Sequence, residues 1–177
     1  MTTRYWVIQT NVDTTCDAGA AIGDFDFTKT DPASEGSQAF NVSGITSFTE
    51  VGTWDIEVSG DNPSTGSHTL NIVLEAFTSA NCRMRVQQIN DSGCGVTNSS
   101  SYSTTYSAST TATDSLSLTW SAGSGGRYRL SLEGVETSTC GRRTFAVATL
   151  GASYVDAPWD PAVAGAPGWP GSHGGWT

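Results

Sequence analysis

Residues 127–133, RYRLSLE, decide the fold class, because Tyr128, Leu130 and Leu132 fall on one face of an extended chain with a period of two. A strand buries such a set on one side, whereas a helix would scatter it around its surface. The same alternation returns in Trp54, Ile56 and Val58, in Leu70, Ile72 and Leu74, in Met84 and Val86, in Leu116, Leu118 and Trp120, and in Phe145 and Val147. Turn-forming clusters separate these runs: SGDNPSTG at 59–66, NDSGCG at 90–95 and SAGSGG at 121–126. Helical periodicity is missing throughout.

The phase slips between Val73 and Phe77 and between Val86 and Ile89, which predicts bulges or strands covered on both faces. Weaker strands are expected at 4–9, 24–28, 39–43 and 101–107. Roughly eight to ten short strands at regular spacing predict an all-β, antiparallel β-sandwich, with a jelly roll the best fit. Without helices there is no βαβ unit, so every pairing is expected to be antiparallel. The alternative is an immunoglobulin-like sandwich, since Cys16, Trp54 and Cys82 occur in that fold's order, although Cys16 sits in the turn-like run DTTCDAGAA. The expected core is Trp54, Ile56, Val58, Leu70, Ile72, Leu74, Val86, Leu118, Trp120, Leu130, Leu132 and Phe145.

With 177 residues, the chain has room for one well-buried core. Its organisation reads as an N-terminal arm and first strand at 1–23, a sandwich at 24–150, and an extended C-terminal arm at 151–177. A net charge of −9, with Arg scattered and Lys29 the one lysine, excludes a basic surface for nucleic acid or anionic lipid. The N-terminal MTTRYWVIQT lacks the apolar core of a signal peptide, and no window is long enough for a membrane span, so a cytosolic origin is expected. Cys16, Cys82, Cys94 and Cys140 allow three pairings, but that origin favours small buried thiols over bridges.

Candidate chemistry is sparse. His68 and His173 have no nucleophile elbow near them and read as polar surface residues. Asp55 with Glu57, or Glu75 with Glu133, can be drawn as glycosidase pairs. Asp55 and Glu57 alternate with Trp54, Ile56 and Val58, however, and the ordinary reading is a solvated strand face. No enzymatic activity is expected. Asp24 and Asp26, and Asp61 with Asn62, offer oxygen ligands to calcium, yet such residues serve turns more often, so no metal or other cofactor is assigned. Tyr102 and Tyr106, at i and i+4 of the Ser/Thr-rich stretch, would share one side of a strand and are the candidate platform for a glycan.

The C-terminal PWDPAVAGAPGWPGSHGGWT suits neither helix nor interior strand, and it carries Trp159, Trp169 and Trp176. Indoles spaced along an arm are suited to pockets of another protein, with Tyr5 and Trp6 serving the same purpose at the other end. The alternative is a tail laid back over its own domain.

The succession TWDIEVSG, SHTLNIVLEAF, CRMRVQQINDSG, SSSYSTTYSASTT, DSLSLTW and GGRYRLSLEGVE, between Thr53 and Glu136, resembles the jelly-roll modules of tailed-bacteriophage virion proteins. The opening TRYWV, Thr3 to Val7, is similar to the start of small phage structural proteins. The resemblance implies a capsid-decoration, head-fibre or tail-associated protein without catalytic residues, assembled in the host cytoplasm. Its partners would be major capsid, tail or neck proteins, or further copies of itself. A carbohydrate-binding or host-receptor-binding module is the alternative.

Overall fold

The computed structural model describes residues 2–11, 15–16, 23–32, 36–58, 63–90, 93–121, 126–149 and 151–158. The strands are β1 (Thr2–Val7), β2 (Gly23–Thr28), β3 (Ser37–Asn41), β4 (Thr49–Glu57), β5 (Gly66–Thr78), β6 (Ala80–Ile89), β7 (Val96–Ser99), β8 (Thr110–Ala112), β9 (Ser115–Leu118), β10 (Arg127–Glu136), β11 (Thr144–Ala148) and β12 (Tyr154–Pro158). None of the described residues is helical. The strands join in one mixed sheet in the order β3-β11-β5-β12-β1-β2-β4-β10-β6-β7, with β8 and β9 also paired to β5.

One pairing departs from the antiparallel rule. β2 and β4 run parallel, from Gly23 opposite Gly52 to Asp26 opposite Asp55. Parallel neighbours need a crossover, and here a strand takes the place of a helix. The chain leaves β2, forms β3 at the far end of the sheet order, and returns to β4.

The sheet encloses a single apolar core. His68, Leu70, Ile72 and Leu74 of β5 are buried at alternate positions, and the same cluster holds Tyr128, Leu130 and Leu132 of β10 and Phe145 and Val147 of β11. Eleven of the twelve expected core residues are buried, and Ile56 is partly covered. Strands distant in the sheet order meet through this core at two glycines. A Cβ at Gly52 would lie 2.5 Å from the Phe40 ring, and one at Gly134 would lie 2.6 Å from Val42, so β4 and β10 admit the bulky residues of the β3 region because they lack side chains there.

Both phase slips have local causes. Ala76 has a positive φ of 54°, and the β5–β11 register shifts beside it. The β6–β7 register shifts between Gln88 and Ile89. Residues 101–105, expected in a strand, are not in one; the nearby strand is β7, and Tyr106 forms an isolated bridge to Cys82.

The stretch assigned to the C-terminal arm begins inside the sheet. β12 lies between β1 and β5, with Val155 and Ala157 fully buried, so the folded body extends to Pro158. A bridge also replaces two of the expected thiols: Cys16 is joined to Cys94, with their Cα atoms 5.0 Å apart. The immunoglobulin-like pairing of Cys16 with Cys82 is thereby excluded; Cys82 is a buried thiol and Cys140 an exposed one. Spacing along the chain did not reveal that the loop after β1 passes beside the β6–β7 turn.

Candidate functional site

β10 is buried on both faces from residue 127 to 134, although only one face is apolar. Arg127, Arg129, Ser131 and Glu133 form the second row, and the antiparallel register supplies their partners from the flanking strands. Arg129 stands opposite Asp55 of β4, and Glu133 opposite Arg83 of β6.

Asp55 binds two guanidiniums. Arg127 donates to Oδ1 through Nε at 2.8 Å, with Nη2 at 2.7 Å, and Arg129 Nη2 donates to Oδ2 at 3.0 Å. Arg129 Nη2 also donates to the Cys16 carbonyl at 2.8 Å, which ties the disulfide-bearing loop to the row. Burial raises the pKa of the Asp55 carboxyl, against the opposing pull of both Arg side chains. The solvated face expected for Asp55 is therefore corrected: Asp55 is 1% exposed, whereas Glu57 is exposed. Alternation identifies a strand face without saying what covers it.

At the other end of the row, Glu133 accepts Arg83 Nε at 2.8 Å and the Tyr102 hydroxyl at 2.5 Å. The Arg83 guanidinium lies 3.7 Å from the Tyr102 ring centroid and 4.2 Å from that of Phe48, so the Tyr102 ring already carries a cation on its face. Tyr106 instead donates its hydroxyl to Asp114 at 2.8 Å. Ser100, Ser103 and Tyr106 donate their backbone N–H groups to Val86, Met84 and Cys82 of β6, contacts three residues apart where a strand would make them every two. The i, i+4 argument for one shared side does not apply to this backbone, and the two tyrosines have different partners. Glu75, drawn earlier with Glu133, hydrogen-bonds Ser37.

A cleft opens where the parallel pair ends. Beyond Asp26 and Asp55, β2 leaves β4 and pairs Phe27 and Thr28 with Val7 and Trp6 of β1. The fork leaves about 300 Å³ between Asp26, Phe27 and Thr28 on one side and Asp55, Ile56 and Glu57 on the other, with Ile8 and Arg127 completing the lining. Ile56 and Glu57 both line it although they alternate in direction, because the cleft runs along the edge of β4 that β2 has vacated. This is why Ile56 is the least covered of the expected core residues. Asp24 accepts the Thr53 hydroxyl at 2.5 Å, and Asp61 and Asn62 lie outside the described residues. Among the described residues no three His, Cys, Asp or Glu side chains converge as a metal site.

The expected attachment residues are placed as follows. Tyr5 is fully buried, its ring centroid 5.1 Å from that of Tyr128. Trp6 is half-buried and meets Tyr154 edge-on at 4.9 Å. Arg4 lies over Tyr154, 3.6 Å from the ring centroid, and grips both carboxylate oxygens of Asp156 at 2.7 Å. Thr2 stands opposite Pro158, so the two ends of the described fold leave from one place. Trp159, Trp169 and Trp176, like His173, lie outside the described residues.

His68 was missed. Expected at the surface, it is fully buried and stacked on Tyr128 with ring centroids 5.4 Å apart, its Nδ1 3.0 Å from the hydroxyl. Its place in phase with Leu70, Ile72 and Leu74 was the available signal.

No family model matches the chain, and no curated protein matches it. Among solved structures the chain is similar to a CocE/NonD family hydrolase from Staphylococcus aureus, with 8% identity and a TM-score of 0.49. The match covers 90% of this chain and 37% of that one, so the chain spans little more than a third of that protein's length.

Proposed function

We propose that this chain is a non-enzymatic structural protein of a virus particle, a capsid-decoration or head- or tail-associated component that attaches through its termini. The observation that carries the reading is the pairing of the first and last described strands: β1 and β12 lie side by side, Thr2 opposite Pro158, and in the sequence the Pro/Gly/Trp-rich segment follows directly. A segment joined to the end of β12 can engage a neighbour without disturbing the core. The finer architecture proposed is a jelly-roll sandwich, supported by the contact of Phe40 and Val42 with the β4 and β10 backbone across one core. The Cys16–Cys94 bridge fits a protein exposed on the outside of a released particle, where disulfides persist.

The chemistry of the row on β10 supports a scaffold. Glu133 of the row and Asp55, which faces it from β4, are buried carboxylates, and each is held by arginine. A general acid or base needs freedom to exchange a proton with substrate.

Deletion of residues 159–177 tests the reading. The truncated protein should keep its thermal unfolding transition and be missing from purified particles when their proteins are counted by mass spectrometry. Incorporation at wild-type occupancy would overturn the proposal.

A further inference from the structure

We propose that the recess between the end of β3 and the turn leading into β11 is a binding site for an oxyanion, a carboxylate, sulfate or phosphate group. None of its residues belongs to β1, to β12 or to the β2–β4 fork.

The lining selects the ligand class. Asn41, Ser43, Arg142 and Thr144 stand around a space of about 630 Å³, which has room for an anionic group and for a small body that carries it. The chain has 17 acidic and 8 basic side chains, yet no carboxylate is among the described residues lining this recess. Its polar groups are open to a ligand. Arg142 is exposed and has no ion pair or side-chain hydrogen bond among the described residues, and the hydroxyls of Ser43 and Thr144 have none either. Asn41 Oδ1 accepts the Ser43 N–H at 3.0 Å, which leaves the Nδ2 hydrogens of Asn41 for a ligand. One unpaired guanidinium beside neutral donors matches an anion with several oxygens. A cation would meet Arg142 with no lining carboxylate to offset it, and a neutral ligand would gain nothing from the charge.

The neighbouring charges are committed elsewhere. Glu136 accepts Arg143 Nη1 at 3.1 Å and the Gly44 N–H at 2.8 Å, and Glu75 hydrogen-bonds Ser37. Arg143 is thereby neutralised, and Arg142 supplies the attraction. The two sides of the recess are joined by the Val42 N–H, which donates to the Arg143 carbonyl at 2.8 Å. Arg143 Nη2 also donates to the Thr139 carbonyl, which closes the turn where Gly141 has a φ of 82°. Donors held in such a frame lose little freedom on binding.

The test is an amide NMR titration of the full chain with sulfate, phosphate, glucuronic acid and glucose phosphate, with glucose and glucosamine as neutral and cationic comparators. The anions should shift the amides of Asn41, Ser43, Gly141, Arg142 and Thr144 saturably, and added sodium chloride should weaken their binding. Arg142→Gln should weaken it about tenfold. Asn41→Asp keeps an acceptor for the Ser43 N–H but brings a negative charge to the recess, and should abolish binding. Arg4→Gln removes the same charge from the β1 surface and should leave binding unchanged; all three positions are exposed, so the variants should fold. Tighter binding of the sugar-borne anions would assign the ligand to an acidic sugar, and equal binding of the inorganic ions would assign it to a free ion; either result upholds the site. The proposal is overturned if no anion shifts these amides, if glucose or glucosamine binds as tightly, or if Arg142→Gln and Asn41→Asp leave binding intact.

Discussion

Acidification should destabilise this protein through His68. The imidazole is fully buried and stacked against Tyr128. Burial lowers its pKa from 6.5 to about 4, with the Ser64 backbone pulling weakly the other way. The folded state therefore prefers neutral His68, and the unfolded state takes up the proton first as pH falls. Above pH 6.5 both states are neutral and the stability is complete; it declines through the window down to about pH 4 and levels off below. At 1.36 kcal/mol per pKa unit, the loss reaches about 1.4 kcal/mol at pH 5.5 and about 3 kcal/mol at pH 4. Asp55, with its raised pKa, contributes in the opposite sense, so the measurement must be differential. His68→Gln keeps a polar group facing the Tyr128 hydroxyl and does not titrate. Urea unfolding of both proteins from pH 8 to pH 4 should give a stability difference that shifts by about 3 kcal/mol in favour of the variant, a relative midpoint shift of about 1.5 M. A difference independent of pH would refute the burial argument for His68.

Asp55→Ala should cost about 3–5 kcal/mol in chemical denaturation, because Arg127 and Arg129 would be left buried without their counter-ion. Replacing all three residues, Asp55, Arg127 and Arg129, with apolar residues of similar volume should recover much of that loss. Cys94→Ser should lower stability under oxidising conditions by at most about 4.5 kcal/mol, the loop-closure value for a sequence separation of 78, and a reducing agent should bring the wild type to the same level. Leu130→Ala, at a fully buried position on β10, should cost about 2–5 kcal/mol and lower the thermal midpoint, and a neutral result would mean that β10 is not central to the core.

By itself the sequence determined the all-β class, most of the core and the two irregularities in β5 and β6. Each is a local property: side-chain direction alternates along a strand whatever its neighbours are, so Leu70, Ile72 and Leu74 declare a buried face without reference to the rest of the chain. His68 carried the same signal, but polarity outweighed phase in reading it. Tertiary structure alone decided what depends on which strands become neighbours. The parallel β2–β4 pair, the Cys16–Cys94 bridge and the entry of β12 beside β1 join residues far apart in the chain. The same holds for the second face of β10. Along the chain its Arg, Ser and Glu residues only alternate with the apolar ones, and it is the register that sets Asp55 and Arg83 opposite them, with the Cys16 loop tied to Arg129. The cleft is the furthest from the sequence of all, because it exists only where two paired strands part, and that divergence is set by the strands each one joins next.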